Sequence, residues 1–195
     1  MPIGSPAAVL PVVKDLHARP SGSIREVLDL GIGFGLWGAM LRNWLDFGVV
    51  SRRTFRLTGV EAFSQYSNPN WGHYDRVFNL TIDQFLGGRN PAKAYDVILL
   101  LDVIEHFDKA KGENLLNSLK PRLSPGGALY VATPSVFYSQ GAEYGNQHEV
   151  HRSLWTTGDF EAMGFAVLDA PPEGQTPVYG HDCITVKYVR SSHTI

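Results

Sequence analysis

The sequence predicts an α/β fold in which a doubly wound, mostly parallel sheet carries helices on both faces. Three observations predict it. Short apolar runs alternate with amphipathic stretches, the order that produces right-handed crossovers between parallel strands. One run, Asp96–Leu101, is apolar beyond its first residue, as expected of a central strand covered on both faces. A glycine-rich loop, Gly31-Ile32-Gly33-Phe34-Gly35, separates the first strand from the helix after it. The 195 residues, 44% hydrophobic and 18% charged, suit one domain with a sizeable core and exclude a disordered or collagen-like chain.

Ala7–His17 reads as a short helix ended by Pro20-Ser21-Gly22-Ser23, so residues 1–23 are a helix and lead-in. Val27–Leu30 is the first strand. Leu36–Phe47 sets Trp37, Met40, Leu41, Trp44 and Leu45 at helical spacing. Phe55–Val60 is the second strand, ending at Glu61. Arg76–Leu80 is the third and Asp96–Leu101 the fourth. Lys111–Leu123 reads as a helix stopped by Ser124-Pro125-Gly126-Gly127, and Ala128–Thr133 as a fifth strand halted by Pro134. Residues 134–151 are long, polar and aromatic without a period, which predicts a substrate-covering loop rather than a connector. Thr156–Met163 is a helix. Ala166–Ala170 and Cys183–Val189 are two final strands, joined by the Pro-rich stretch Pro171–Asp182, giving seven strands in one domain over residues 1–195.

Lys plus Arg total 17 and Asp plus Glu 19, a net charge of -2 that argues against a chain built to hold nucleic-acid phosphates. The one cysteine, Cys183, leaves no intramolecular disulfide and no multi-thiolate zinc site; it reads as a small buried hydrophobe. No apolar stretch approaches the ~18 residues of a membrane span. Met1–Pro20 carries Lys14, Asp15 and Arg19 without the apolar centre of a signal peptide, so a cytoplasmic location is expected.

Glycines between a buried strand and a helix let the backbone turn sharply and approach a ligand, while the helix start offers free amides. Gly33-Phe34-Gly35-Leu36-Trp37-Gly38 fits the dinucleotide pattern G-x-G-x-x-G. Asp29 opposes that reading, because a carboxylate two residues before the first glycine repels a pyrophosphate and suits a cationic ligand. No Tyr-x-x-x-Lys pair occurs, and too little chain follows the sheet for a separate substrate domain.

Glu26-Val27-Leu28-Asp29-Leu30-Gly31-Ile32-Gly33-Phe34-Gly35 resembles the first motif of class I S-adenosylmethionine-dependent methyltransferases, D-x-G-x-G-x-G. The resemblance continues through Glu61, the segment Tyr95–His106 and the turn Leu123–Leu129, and covers about residues 25–189 in order. It implies a Rossmann-like seven-stranded sheet with an antiparallel C-terminal strand, and S-adenosyl-L-methionine as cofactor. It also implies that Asp29, Gly31, Gly33 and Gly35 wrap the methionine part, that Glu61 binds the ribose hydroxyls and that Asp102 after strand four is a further cofactor-binding residue. Adenine then packs on Ala62 and Phe63, with its edge near Thr81 and Ile82. The sequence departs from the family at Thr81, where an Asp is usual.

Ligands of such sheets bind beyond the carboxyl ends of the strands at the switch point, so the methyl acceptor is expected after strands four and five. His106 and His151 are the candidate catalytic residues there, converging on the transferred methyl from opposite segments. With neutral imidazoles as the base, activity is expected to rise through a His pKa of ~6.5. Phe137, Tyr138 and Tyr144 are candidates for an aromatic wall, Trp71 for lining the adenine side or covering the sheet, and Trp155 for a loop anchor. Glu149 and Arg152 read as solvated turn residues. Asp102-Val103-Ile104-Glu105-His106 with His151-Arg152-Ser153-Leu154-Trp155-Thr156 also resembles the metal-binding pattern of the 3′-terminal 2′-O-methyltransferases of small RNAs. Asp102 in place of the first Glu and the absence of a basic stripe favour a metal-free site and a small-molecule acceptor, methylated at oxygen. A binding protein that holds the cofactor without turnover is the rival from another class.

Overall fold

In the computed structural model, which describes residues 6–46, 53–88, 94–172 and 182–192, seven strands form one sheet. They are β1 (Glu26–Leu30), β2 (Arg56–Val60), β3 (Arg76–Phe78), β4 (Tyr95–Leu101), β5 (Leu123–Pro134), β6 (Ala166–Asp169) and β7 (Cys183–Val189), in the order β3-β2-β1-β4-β5-β7-β6. The first five run parallel, with Leu28 between Thr58 and Ile98. β7 is antiparallel to both β5 and β6. The chain winds outward from β1 to β3 and returns at β4, so the switch point lies between β1 and β4.

Side chains alternate across each strand, and the sequence makes both faces apolar. Leu28, Leu30, Ile98, Leu100 and Val131 pack on one face against Leu115, Leu116 and Leu119 of α4 (Lys109–Leu119) and against Trp155 and Phe160. Val27, Leu57, Val97, Leu99 and Tyr130 meet α1 (Pro6–His17) and α2 (Leu36–Leu45) on the other, through Ala8, Val12, Leu16, Trp37 and Leu41. Cys183 is buried in this second layer. No described helix is long and apolar enough to cross a membrane.

The sequence reading missed α3 (Ile82–Gly87), whose six residues are too few to show a period. Its signal was local: Thr81-Ile82-Asp83-Gln84 is a capping box, in which the Thr81 hydroxyl accepts from the Gln84 amide and the Gln84 side chain accepts from the Thr81 amide. α4 starts two residues early and stops at Leu119 rather than Leu123; a 3-10 turn at Lys120–Arg122 replaces its end, because Pro121 has no amide to continue the helix. β3 ends at Phe78 rather than Leu80. α2 ends at Leu45, and Phe47 with most of the polar stretch 48–54 lies outside the described residues. The loop at 134–151 is not shapeless: it carries 3-10 turns at Glu143–Gly145 and Gln147–Glu149.

Under the glycine loop, the Tyr74 hydroxyl donates to Asp29 Oδ2 at 2.6 Å and accepts from the Gly38 amide at 3.0 Å, tying β1 to the first turn of α2. Two glycines make room for the ring. A β-carbon at Gly38 would lie 2.3 Å from Tyr74 Cε2, and one at Gly59 2.8 Å from Cδ1. Burial pushes the Asp29 carboxyl up to about 7, against the lowering effect of the Tyr74 hydrogen bond and with a small push from Glu61.

Two outcomes follow from this arrangement. Gly38→Ala gains about 1 kcal/mol in helix propensity but overpacks a ring trapped on both sides, which costs ~1–3 kcal/mol; urea denaturation should show a net loss. Asp29 binds its proton more tightly in the native than in the unfolded chain. Its contribution is therefore favourable at low pH and is lost as pH rises from about 4 to about 7. Asp29→Asn keeps an acceptor for Tyr74, so its stability relative to the parent should climb across that interval, as followed by denaturation at stepped pH.

Candidate active site

The glycine loop forms the floor of the site. The amides of Gly31 and Ile32 both donate to Val60 O, at 2.8 and 3.2 Å, bending the chain off β1 toward β2. Gly31 has φ 75°, and a β-carbon there would lie 2.5 Å from Val103 Cγ2, so only glycine fits. Glu61, at the end of β2, accepts from the Gly33 amide through Oε2 and from the Phe63 amide through Oε1, both at 2.9 Å. Trp71 is a tether rather than a cover: its Nε1 donates to Gly33 O at 2.9 Å.

One cavity runs along this floor. Gly31, Gly33, Leu36 and Trp37 line one end, Glu61 and Ala62 the middle, and Thr81, Ile82 and Asp83 the other end. Leu101, Asp102, Val103, His106 and Phe107 close it from the β4 side, and Asn146, His148, Glu149 and Arg152 lie across it. The structure thus brings Gly31, Gly33, Glu61, Ala62, Thr81, Ile82, Asp102 and His106 together on one cavity. Asp29, Gly35 and His151 do not line the cavity; Asp29 is fixed behind the loop by Tyr74, Gly35 is the N-cap of α2, and His151 meets the His106 ring instead. Asp102 takes a left-handed backbone conformation, φ 53°, anchored by its amide on Ala132 O at 2.9 Å. Asp83 and Asn146 escaped the sequence reading; one lies in the unrecognised α3 and the other in a loop without periodicity.

Glu149 corrects the reading of a solvated turn residue, whereas Arg152 is exposed as that reading has it. Glu149 is buried; its Oε1 accepts from the Tyr66 hydroxyl at 3.1 Å and its Oε2 from Gln140 Nε2 at 3.3 Å. Asn146 Nδ2 donates to the same Tyr66 hydroxyl at 3.2 Å. The Tyr66 ring in turn packs edge-on to Phe34 and Phe63, each at 4.9 Å between centroids, with Tyr144 beyond at 6.2 Å. Arg152 is exposed but committed: Nη1 donates to His106 O and Val150 O, and Nη2 to Gln147 O. Of the proposed aromatic wall, Phe137, Tyr138 and Tyr144 are all largely exposed. Trp155 is fully buried and anchors the loop, as expected.

His106 and His151 converge. Their ring centroids are 5.0 Å apart, because the Arg152 and Ser153 amides donate to Glu105 O and hold the loop on the 3-10 turn Ile104–His106. Nδ1 of His151 lies 2.9 Å from Tyr138 O and Nδ1 of His106 3.4 Å from Val150 O, which places the proton on Nδ1 and leaves each Nε2 with a free lone pair. Burial, then the neighbouring His151, pushes His106 down to about 4; His151 is lowered too, chiefly by burial. The expected titration near 6.5 is therefore corrected downward, and both rings are neutral at neutral pH. Glu105 completes a group of three whose ligand atoms lie within 4.8 Å of one another. Its carboxyl is raised well above the usual range by burial first and Asp102 second, and Thr133 Oγ1 donates to it at 3.1 Å.

A family model described as a methyltransferase domain matches residues 8–169. A SAM-dependent methyltransferase from Archaeoglobus fulgidus superposes with a TM-score of 0.62 at 14% identity, over 94% of both chains. A Burkholderia thailandensis 1,6-didemethyltoxoflavin-N1-methyltransferase, solved with 1,6-didemethyltoxoflavin and S-adenosylhomocysteine, gives 0.62 at 17% identity over 94% of this chain and 78% of that one. An O-methyltransferase family protein from the same organism gives 0.60 at 19% identity; this chain spans 94% of its own length but 56% of that protein's. No curated protein matches the sequence significantly. The chain belongs to the methyltransferase-domain family, and its fold is that of the class I S-adenosylmethionine-dependent enzymes.

Proposed function

We propose that this domain transfers a methyl group from S-adenosylmethionine to a hydroxyl oxygen of a small-molecule acceptor. The observation that carries the reading is the neutral imidazole of His106 on the cavity wall at the end of β4, with the His151 ring 5.0 Å from it. The cofactor fits the residues present: a floor of Gly31 and Gly33 without side chains, and a wall of acidic residues from Glu61 to Asp102 suited to a cation. When bound, S-adenosylmethionine supplies an electrophilic methyl on its sulfonium.

The chain's own residues do the rest. Glu61 already receives two amides, and each of its oxygens keeps a second lone pair for a ribose hydroxyl. Ala62 and Ile82 flank the adenine, with the Thr81 hydroxyl and Asp83 at its edge. Asp102 presents a carboxylate to the ammonium of the methionine part. Asp29 and Gly35 act from behind, by holding the loop. Positioning an acceptor in line with the methyl can supply ~7–11 kcal/mol of the barrier, and an imidazole Nε2 that takes the hydroxyl proton adds ~10²–10⁴-fold. Residues 134–151 cover the acceptor in this reading, which treats 1–195 as one domain.

A second reading rests on the Glu105, His106 and His151 cluster: a divalent ion there, in the manner of the 3′-terminal RNA 2′-O-methyltransferases. The buried, Thr133-bonded Glu105 and the net charge of -2 favour the metal-free site and the small acceptor.

Calorimetry should show binding of S-adenosylmethionine and of its demethylated product but not of NAD, and Glu61→Ala should weaken both at least ~10-fold. In a product-detecting screen of phenols, sugars, amines and RNA 3′ ends, turnover should appear with a hydroxyl compound and survive EDTA. His106→Ala and His151→Ala should each lower it ~10²-fold or more. With His106 near 4, the parent should keep its rate from pH 8 down to 6. Transfer only to RNA, lost on chelation, would establish the second reading; cofactor binding with no acceptor at all would leave a binding protein.

A further inference from the structure

Arg152 lines the cavity wall with His106, and its guanidinium is held on three main-chain carbonyls. Nη1 donates to His106 O at 2.7 Å and to Val150 O at 2.9 Å, and Nη2 donates to Gln147 O at 3.1 Å. Other bonds already dock this part of the loop. The Arg152 and Ser153 amides both donate to Glu105 O, at 2.8 and 3.1 Å, and Glu149 meets the Tyr66 hydroxyl. What the guanidinium adds falls mainly on His106.

One nitrogen does two things there. Nη1 bonds the carbonyl of His106 itself and also Val150 O, the atom that His106 Nδ1 faces at 3.4 Å. The contacts close a ring, from His106 O through Nη1 to Val150 O and back to Nδ1. The last of them is at the long end of hydrogen-bond distances and weak by itself. A neutral imidazole carries its proton on either nitrogen, and the bond made by one nitrogen sets the role of the other. A Val150 carbonyl that drifted outward would lose the ring and let the two tautomers exchange. His106 and Val150 are 44 residues apart in the chain, so contacts between segments set their separation.

We propose that Arg152 is a positioning residue: through Nη1 it pins Val150 O against the His106 ring and holds His106 in the Nδ1-protonated form, whose Nε2 takes the acceptor's proton. The proposal rests on the reading of His106 as the base for methyl transfer and extends it to the residue that orients that base. Because one nitrogen serves both carbonyls, a lysine ammonium with three donors can stand in for it, and a methionine cannot.

Long-range ¹H–¹⁵N spectra of the imidazole nitrogens separate the tautomers and need no acceptor. With S-adenosylhomocysteine bound, the parent's His106 should show one form, protonated at Nδ1, its signals identified by their loss in His106→Gln. Arg152→Met should turn them into an average of two tautomers, and Arg152→Lys should bring them back. With the fastest hydroxyl acceptor of the screen above, Arg152→Met should lower kcat about tenfold or more while KM and S-adenosylhomocysteine affinity stay near the parent's. Arg152→Lys should recover most of that rate. An unchanged His106 tautomer in Arg152→Met, or a kcat loss matched by lost binding that lysine does not repair, makes Arg152 a loop tie and overturns the proposal. Should Arg152→Met fail to fold, the parent's spectrum decides: a His106 ring protonated at Nε2, or exchanging between forms, overturns it too. Full activity in His106→Ala overturns the reading of the base itself, and this inference with it.

Discussion

The Glu61 carboxylate receives the amides of Gly33 and Phe63, two loops that would otherwise be independent. Both amides sit on tight backbone turns with no strand neighbour to satisfy them, and an unpaired buried amide costs ~1–3 kcal/mol. Glu61 itself is buried, and burial raises its carboxyl while the two amides pull it back down. Removing the carboxylate would release the glycine floor and the Tyr66 segment at once. The link between the glycine floor and the segment that follows β2 runs through this one acceptor.

A second layer stiffens the first. Tyr74 fills the space left by Gly38 and Gly59 and bridges Asp29 to the α2 amide. Asp29 thus stands one shell away from any ligand. Its acidity matters through the rigidity of the loop, and through the neutral state that burial gives it over part of the physiological range. The wall of acidic side chains then belongs to Glu61, Asp102, Asp83 and Glu149, which come from four different segments of the chain.

The legible parts of this molecule were those encoded by period and by punctuation. Seven strands, the glycine loop, Glu61 at a strand end and the meeting of two histidines all follow from apolar runs, turn residues and the geometry of parallel sheets. What escaped was written in single contacts. α3 announces itself only through the Thr81–Gln84 pair. Tyr74 and Trp71 look like ordinary aromatics until Gly38, Gly59 and the Gly33 carbonyl are seen beside them. Glu149 reads as a surface acid because its partner, the Tyr66 hydroxyl, lies 83 residues away in the chain. The depressed basicity of His106 likewise depends on burial that no local pattern reports.

The 134–151 loop is fastened to the turn after β4 largely through main chain, with Arg152 and Ser153 amides on Glu105 O, the His151 amide on Gln140 O and Arg152 on carbonyls. Side chains add to that fastening at Glu149 and Asn146, which meet the Tyr66 hydroxyl, and at Gln140, which meets Glu149. Phe137 and Tyr144 are exposed and can be exchanged at less cost than Tyr138, whose hydroxyl donates to Asp182, while β1, β2 and the glycine floor stay under the strict demands of Glu61 and Tyr74. The molecule therefore divides into a conservative half around Glu61 and Tyr74, where nearly every substitution carries a cost, and a loop whose exposed aromatic residues are freer to change.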